Sequence, residues 1–182
     1  MTLMSRRRVV DLLGQALAGL GLVRGTMAQG PKIRKYPRAD VDMPVSLAVG
    51  TVRTPAFQVI PEAYYIMVQI FKPFPRRDME SFREWTCWMG MTSGPGEERY
   101  CNDEPPRLQA TWRVLDGGRV VATGTSPLKA SSIFETEYMI KIIGQFLGEV
   151  GKKFVVEVNF TNDGTPLNAG NPHLIVIRIK YH

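Results

Sequence analysis

Between Leu108 and Gly124 the chain reads LQATWRVLDGGRVVATG, and this stretch decides the fold class. Leu108, Ala110, Trp112 and Val114 alternate with Gln109, Thr111 and Arg113, the period of two that lays one side of a strand on a core and the other in water. Asp116, Gly117 and Gly118 then supply residues that tolerate positive φ, as a tight hairpin turn requires, and Val120 to Thr123 returns as the partner strand.

The same alternation recurs along the chain. KKFVVEVNF turns Phe154, Val156, Val158 and Phe160 inward and Lys153, Glu157 and Asn159 outward, and ends at the turn Asn162-Asp163-Gly164. HLIVIRIK makes a final strand, and PVSLAVGTV offers Val45, Leu47 and Val49 as one apolar side. FETEYMIKI reads as a further strand with Glu135, Glu137 and Lys141 on its polar side. YYIMVQIF is apolar on both sides, which places it at the centre of a sheet.

One segment departs from this period. In DMESFREWTCWMG the residues Met79, Phe82, Trp85, Thr86 and Met89 recur at spacings of three and four, with Asp78 placed to cap the start and Gly90 to end it. The spacing predicts a short amphipathic helix with Cys87 in its last turn and Trp88 off the apolar stripe, directed toward solvent. About seven antiparallel strands with short turns and one inserted helix describe an all-β fold, a β-sandwich of immunoglobulin-like architecture. The inter-sheet disulfide packed on a tryptophan that marks antibody domains is not expected, since the two cysteines stand too close together in sequence.

A chain of 182 residues with 44% hydrophobic content is long enough for one core of ordinary size. Its organisation reads as an export signal over residues 1–28, a basic extended arm over 29–43 and the sandwich over 44–182. The leader has a basic start, an apolar run from Leu12 to Val23, and small residues at Thr26 and Ala28, after which cleavage is expected. That run falls short of the roughly 20 apolar residues of a membrane-spanning helix and contains Gln15 and several glycines, so no stable span is expected. Ser5, Arg6 and Arg7 resemble the start of a twin-arginine signal, although Asp11 stands where that pattern has lysine, and the export route stays open. The alternative is an amphipathic first helix packed on the domain.

The leader holds four arginines and one aspartate, so of 23 basic and 17 acidic residues, 19 and 16 remain after cleavage, a charge of +3 instead of +6. Nucleic acid is therefore not an expected partner. Export places the mature protein in the periplasm or outside the cell, where a lone pair of cysteines forms a disulfide. Thirteen residues separate Cys87 from Cys101, which is no CxxC redox motif, and His173 and His182, the only histidines, lie far along the chain. A structural clamp on the loop is expected, without metal or cofactor.

The order EAYYIMVQIFKPF, RRDMESFREW, RLQATWRVLDGGRVV and VEVNFTNDGTPLNAGNPHLIVI, spanning residues 44 to 179, resembles a proteobacterial family of exported β-sandwich domains of unknown function. The resemblance implies a sandwich behind a leader. It carries no active residues to this chain.

No nucleophile elbow, zinc-protease helix or phosphate loop is present. Gly94-Pro95-Gly96 reads as a turn, Asp103 and Glu104 as solvated loop charges, and His173, after a proline at a strand start, as a structural histidine. Glu135 and Glu137 could pair as catalytic carboxylates, but alternation already accounts for them. Two surfaces suit binding. The first mixes Arg76, Arg77, Arg83, Trp88, Arg99 and Tyr100 around the helix and cysteine loop, residue types enriched at interface hot spots. The second is the basic start KIRKYPR, with Lys32, Arg34, Lys35 and Arg38. The expected function is a non-enzymatic periplasmic binding domain recognising a protein of the cell envelope in an immunity-like or accessory role. A carbohydrate or cell-wall glycan module stacking sugars on Trp88 and Tyr100 is the alternative, and a small hydrolase a third reading.

Overall fold

The computed structural model describes residues 39–75, 77–90, 101, 105–128, 132–134 and 137–178. Among these described residues, ten strands form two antiparallel sheets. Their order in the chain is β1 (Ala39–Pro44), β2 (Gly50–Arg53), β3 (Phe57–Gln58), β4 (Ala63–Phe71), β5 (Ala110–Asp116), β6 (Arg119–Thr125), β7 (Ser132–Phe134), β8 (Tyr138–Leu147), β9 (Lys153–Phe160) and β10 (His173–Arg178). The first sheet runs β1-β10-β4-β8-β7, and the second β2-β9-β5-β6 with β3 also paired to β9. A helix, α1 (Met79–Met89), is inserted between β4 and β5, and a 3-10 turn (Thr165–Gly170) between β9 and β10.

The hairpin forms as its sequence demands. Gly117 and Gly118 adopt φ of 56° and 91° in the two-residue turn, and Asp116 pairs with Arg119. Ala110, Trp112 and Val114 of β5 and Phe154, Val156, Val158 and Phe160 of β9 are buried, facing Tyr64, Ile66, Val68 and Ile70 of β4 across the sandwich. Burying a side chain of this size contributes roughly 1.5–3 kcal/mol, so this layer is the main source of stability. Trp112 lies where two glycines make room for it: a Cβ on Gly124 or Gly144 would stand 2.5 Å from the indole. Tyr64 stacks on Phe146 at 5.1 Å and its hydroxyl accepts a hydrogen bond from the Ile60 amide at 3.1 Å, while burial raises its pKa.

Strand β4 has β10 on one side and β8 on the other, at the centre of its sheet as its sequence requires. Its second face carries Met67 and Phe71, which cluster with Tyr138, Ile140 and Ile175.

The strand count exceeds the expected seven for three local reasons. PVSLAVGTV is no single strand: β1 ends at Pro44 in the first sheet and β2 begins at Gly50 in the second, so the chain changes sheets in between. Leu47 anchors that corner, fully buried, with its amide donating to Asn168 Oδ1 at 3.0 Å and its carbonyl accepting from Gly164 N at 2.9 Å. FETEYMIKI divides into β7 and β8, which pair as a hairpin. Phe57–Gln58 adds a two-residue strand too short to show a period. The sandwich also begins earlier than expected, because residues 39–43 of the expected arm form β1 on β10. There Arg178 Nε meets Asp40 Oδ2 at 3.2 Å.

Candidate binding surface

Helix α1 carries the residues singled out for binding, and its caps are those its sequence supplies. Asp78 Oδ1 accepts from Ser81 N at 3.0 Å and Oδ2 from the Ser81 hydroxyl at 2.7 Å, and these bonds hold the Asp78 carboxyl below its ordinary pKa. Gly90 ends the helix in the left-handed conformation, φ 67°, where its amide bonds to Cys87 O at 2.9 Å. Trp85 and Met89 are buried and seat the helix on the core, with Phe74 meeting the Trp85 ring edge-on at 5.5 Å. Gly170 of the 3-10 turn lies so close that a Cβ there would stand 2.8 Å from the Trp85 ring. The apolar stripe is narrower than its spacing implied, because Met79 is exposed at the first turn.

Cys87 and Cys101 form a disulfide, with Cα atoms 5.2 Å apart. Beside it, Trp88 is half-buried instead of turned to solvent: its ring is 6.3 Å from that of Trp85, and the Arg107 guanidinium lies 5.2 Å above it. Arg107 belongs to the segment that returns to the sheet, where Leu108 N bonds to Trp88 O at 2.8 Å. The Leu108 carbonyl in turn accepts from Lys141 Nζ at 2.7 Å.

Lys141 corrects an expectation. It sits on the polar side of FETEYMIKI only in the sequence reading, whereas in the sandwich it is fully buried on the inner side of β8. Burial lowers its pKa to about 8. Glu137 is exposed, and Glu135 lies outside the described residues.

Of the expected binding residues, α1 thus places Trp88 at a half-buried position and Arg83 at an exposed one, with Arg77 exposed just before the helix. Arg76, Arg99 and Tyr100 lie outside the described residues, as do Gly94-Pro95-Gly96, Asp103, Glu104, His182 and the stretch KIRKYPR. Sequence reading missed Arg107; its signal is a cation directly before a strand that must pass the helix end. His173 is buried at the start of β10, its Nδ1 2.7 Å from Asp42 Oδ1, and so ties β10 to β1. Among the described residues no three His, Cys, Asp or Glu side chains gather to hold a metal ion, and no helix is long and apolar enough to cross a membrane.

A second polar surface lies on the outer face of the β2-β9-β5-β6 sheet. Glu157, outward-facing yet only 8% exposed, is held between two arginines: Arg113 Nε bonds to its Oε2 and Arg53 Nε lies 3.6 Å from its Oε1. Next to them the Thr51 hydroxyl donates to Asn159 Oδ1 at 3.1 Å. Arg113, Glu157, Thr51 and Asn159 line a groove of about 360 Å³ together with Thr111, Trp112 and Thr123, and Arg53 stands beside it. Alternation turns Arg113 and Glu157 outward on their own strands, and it is the pairing of β5 with β9 that sets them side by side.

No family model matches the chain, and no curated protein does. Among solved structures, the fold is similar to that of a Sulfurospirillum deleyianum protein, with a TM-score of 0.50 over 78% of this chain and 98% of that one. Sequence identity between the two is 7%, so the likeness is one of fold, and it agrees with an all-β sandwich carrying one short helix.

Proposed function

We propose that the protein is a non-enzymatic binding domain of the cell envelope, exported to the periplasm behind a cleaved leader. It recognises a protein partner through the outer side of α1 and the loop that Cys87–Cys101 closes, in an immunity-like or accessory role. The observation that carries this reading is the fixing of Trp88. The disulfide one residue away, the Trp85 ring and the Arg107 guanidinium together hold a half-buried indole at the end of a helix. An aromatic anchor already immobilised loses little side-chain entropy on association, which is the property of an interface hot spot. Arg77, just before the helix, and Arg83, within it, add exposed cations. The alternative of a module stacking cell-wall sugars on Trp88 and Tyr100 has less support, because Arg107 already lies over the Trp88 ring.

The test is affinity capture from an envelope extract with the mature protein as bait, alongside the Trp88→Ala/Arg99→Ala variant. A partner retained by the parent and lost from the variant is the expected result. Identical captured proteins on both baits, with both baits folded by circular dichroism, would remove this surface from consideration.

A further inference from the structure

We infer that the outer face of the β2-β9-β5-β6 sheet is a binding site for an acidic saccharide, separate from the helix surface. Its volume of about 360 Å³ lies at the small end of the range for small-molecule sites, roughly 300–1,000 Å³. The groove runs across four strands on the face of the sheet, not along an edge. An extended peptide adding itself as a strand therefore finds no unpaired backbone there. The walls argue against an apolar ligand, since Thr51, Thr111, Thr123 and Asn159 present hydroxyl and amide groups in rows across the strands. Hydroxyl and amide rows match a ligand that is itself dense in hydroxyl donors and acceptors.

Charge narrows the class further. Arg53 and Arg113 share a single carboxylate, Glu157, so the cluster carries one excess positive charge. Each arginine meets Glu157 through Nε. The two side chains are 58% and 56% exposed, Arg113 lining the groove and Arg53 standing opposite Glu157 in register on the neighbouring strand. A guanidinium fork offers paired donors that fit a carboxylate. Glu157, pinned from both sides, holds the two forks in place. Hydroxyl rows beside a pre-positioned pair of guanidinium groups suit a sugar bearing a carboxylate, such as a uronic acid.

The test is titration of the disulfide-bonded protein with trigalacturonate, followed by backbone amide NMR, with maltotriose as the neutral comparison and inorganic phosphate as the bare anion. The expected result is saturable shifts confined to β2, β5, β6 and β9, with the neutral trisaccharide binding about tenfold or more weakly. Arg53→Gln and Arg113→Gln should each weaken trigalacturonate binding by about tenfold. Thr111→Val, which keeps the β-branched shape a strand prefers, should weaken it several-fold without altering the amide spectrum elsewhere. The inference is overturned by the absence of shifts with trigalacturonate, by equal affinity for maltotriose, by phosphate binding as tightly as the sugar, or by unchanged affinity in the three folded variants.

Discussion

At the scale of single residues, the sandwich contains one lysine in a place where lysines are costly. Lys141 is fully buried, with the Leu108 carbonyl 2.7 Å from its ammonium group. Desolvation lowers its pKa from 10.5 to about 8, and no charged neighbour contributes to the shift. Below pH 8 the lysine is protonated in both the folded and the unfolded chain, and the full penalty of burying the charge, roughly 3 kcal/mol, is in place. Between about pH 8 and 10.5 the unfolded chain binds more protons than the folded one, so stability rises with pH. Tyr64, whose raised pKa removes stability as pH climbs past its ordinary value of 10.0, works in the opposite direction. Lys152, raised by its bond to Asp116, does the same above 10.5. Urea midpoints at about pH 7.5 and pH 9.5 should therefore show a gain of about 1–2 kcal/mol, and Lys141→Met should flatten it. An equal gain in the variant would assign the effect to another group. The sequence concealed this residue: alternation puts Lys141 beside Glu137 in spacing, but the chain turns between β7 and β8, and the period restarts on the other side of the turn.

At the scale of elements, what was legible followed from strict periods and from residues with special backbone freedom. The β5–β6 hairpin, β9, β10, the two-sided burial of β4 and both caps of α1 all follow from such signals. The corner between β1 and β2 did not, because Val45, Leu47 and Val49 alternate correctly for a strand that does not exist. Period reports which side of the chain is apolar and is silent about which sheet receives it; Leu47 is fully buried while Val49 is 63% exposed. The glycine turn offers the clearest test of an element. Gly117 has φ 56°, and a Cβ built there meets nothing within 4 Å, so any cost of substitution is backbone conformation alone. Gly117→Val should destabilise the protein by roughly 1–2 kcal/mol in chemical denaturation, while Gly117→Asn, a residue that visits this conformation, should cost much less. Equal losses in both variants would place the cost outside the turn.

For the whole molecule, the question is how far the disulfide supports the fold beyond the helix it closes. Its sulfurs join α1 to residue 101 across a sequence separation of 14. The candidate surface was legible to the same extent: cysteine spacing and compartment led to the clamp, and helical period led to Trp88. Arg107 and the Arg53–Glu157–Arg113 cluster depend on strands brought together from distant parts of the chain, which no local pattern records. Closing a loop of about 15 residues contributes ~3 kcal/mol in the chain-entropy account. A domain of this size has roughly 5–15 kcal/mol in total, and the layer between the sheets, from Tyr64 to Phe160, does not involve the cysteines. Reduction, or the Cys87→Ala/Cys101→Ala variant, should therefore lower stability by about 3 kcal/mol while the strand signature in circular dichroism and a single cooperative transition persist. The fluorescence of Trp85 and Trp88 should change on reduction even where the sandwich remains folded, since both rings sit on the element that the bond restrains. Loss of all cooperative unfolding in the reduced protein would mean that the helix and its loop are part of the folding unit, and the separation between a self-sufficient sandwich and an appended recognition surface would have to be given up.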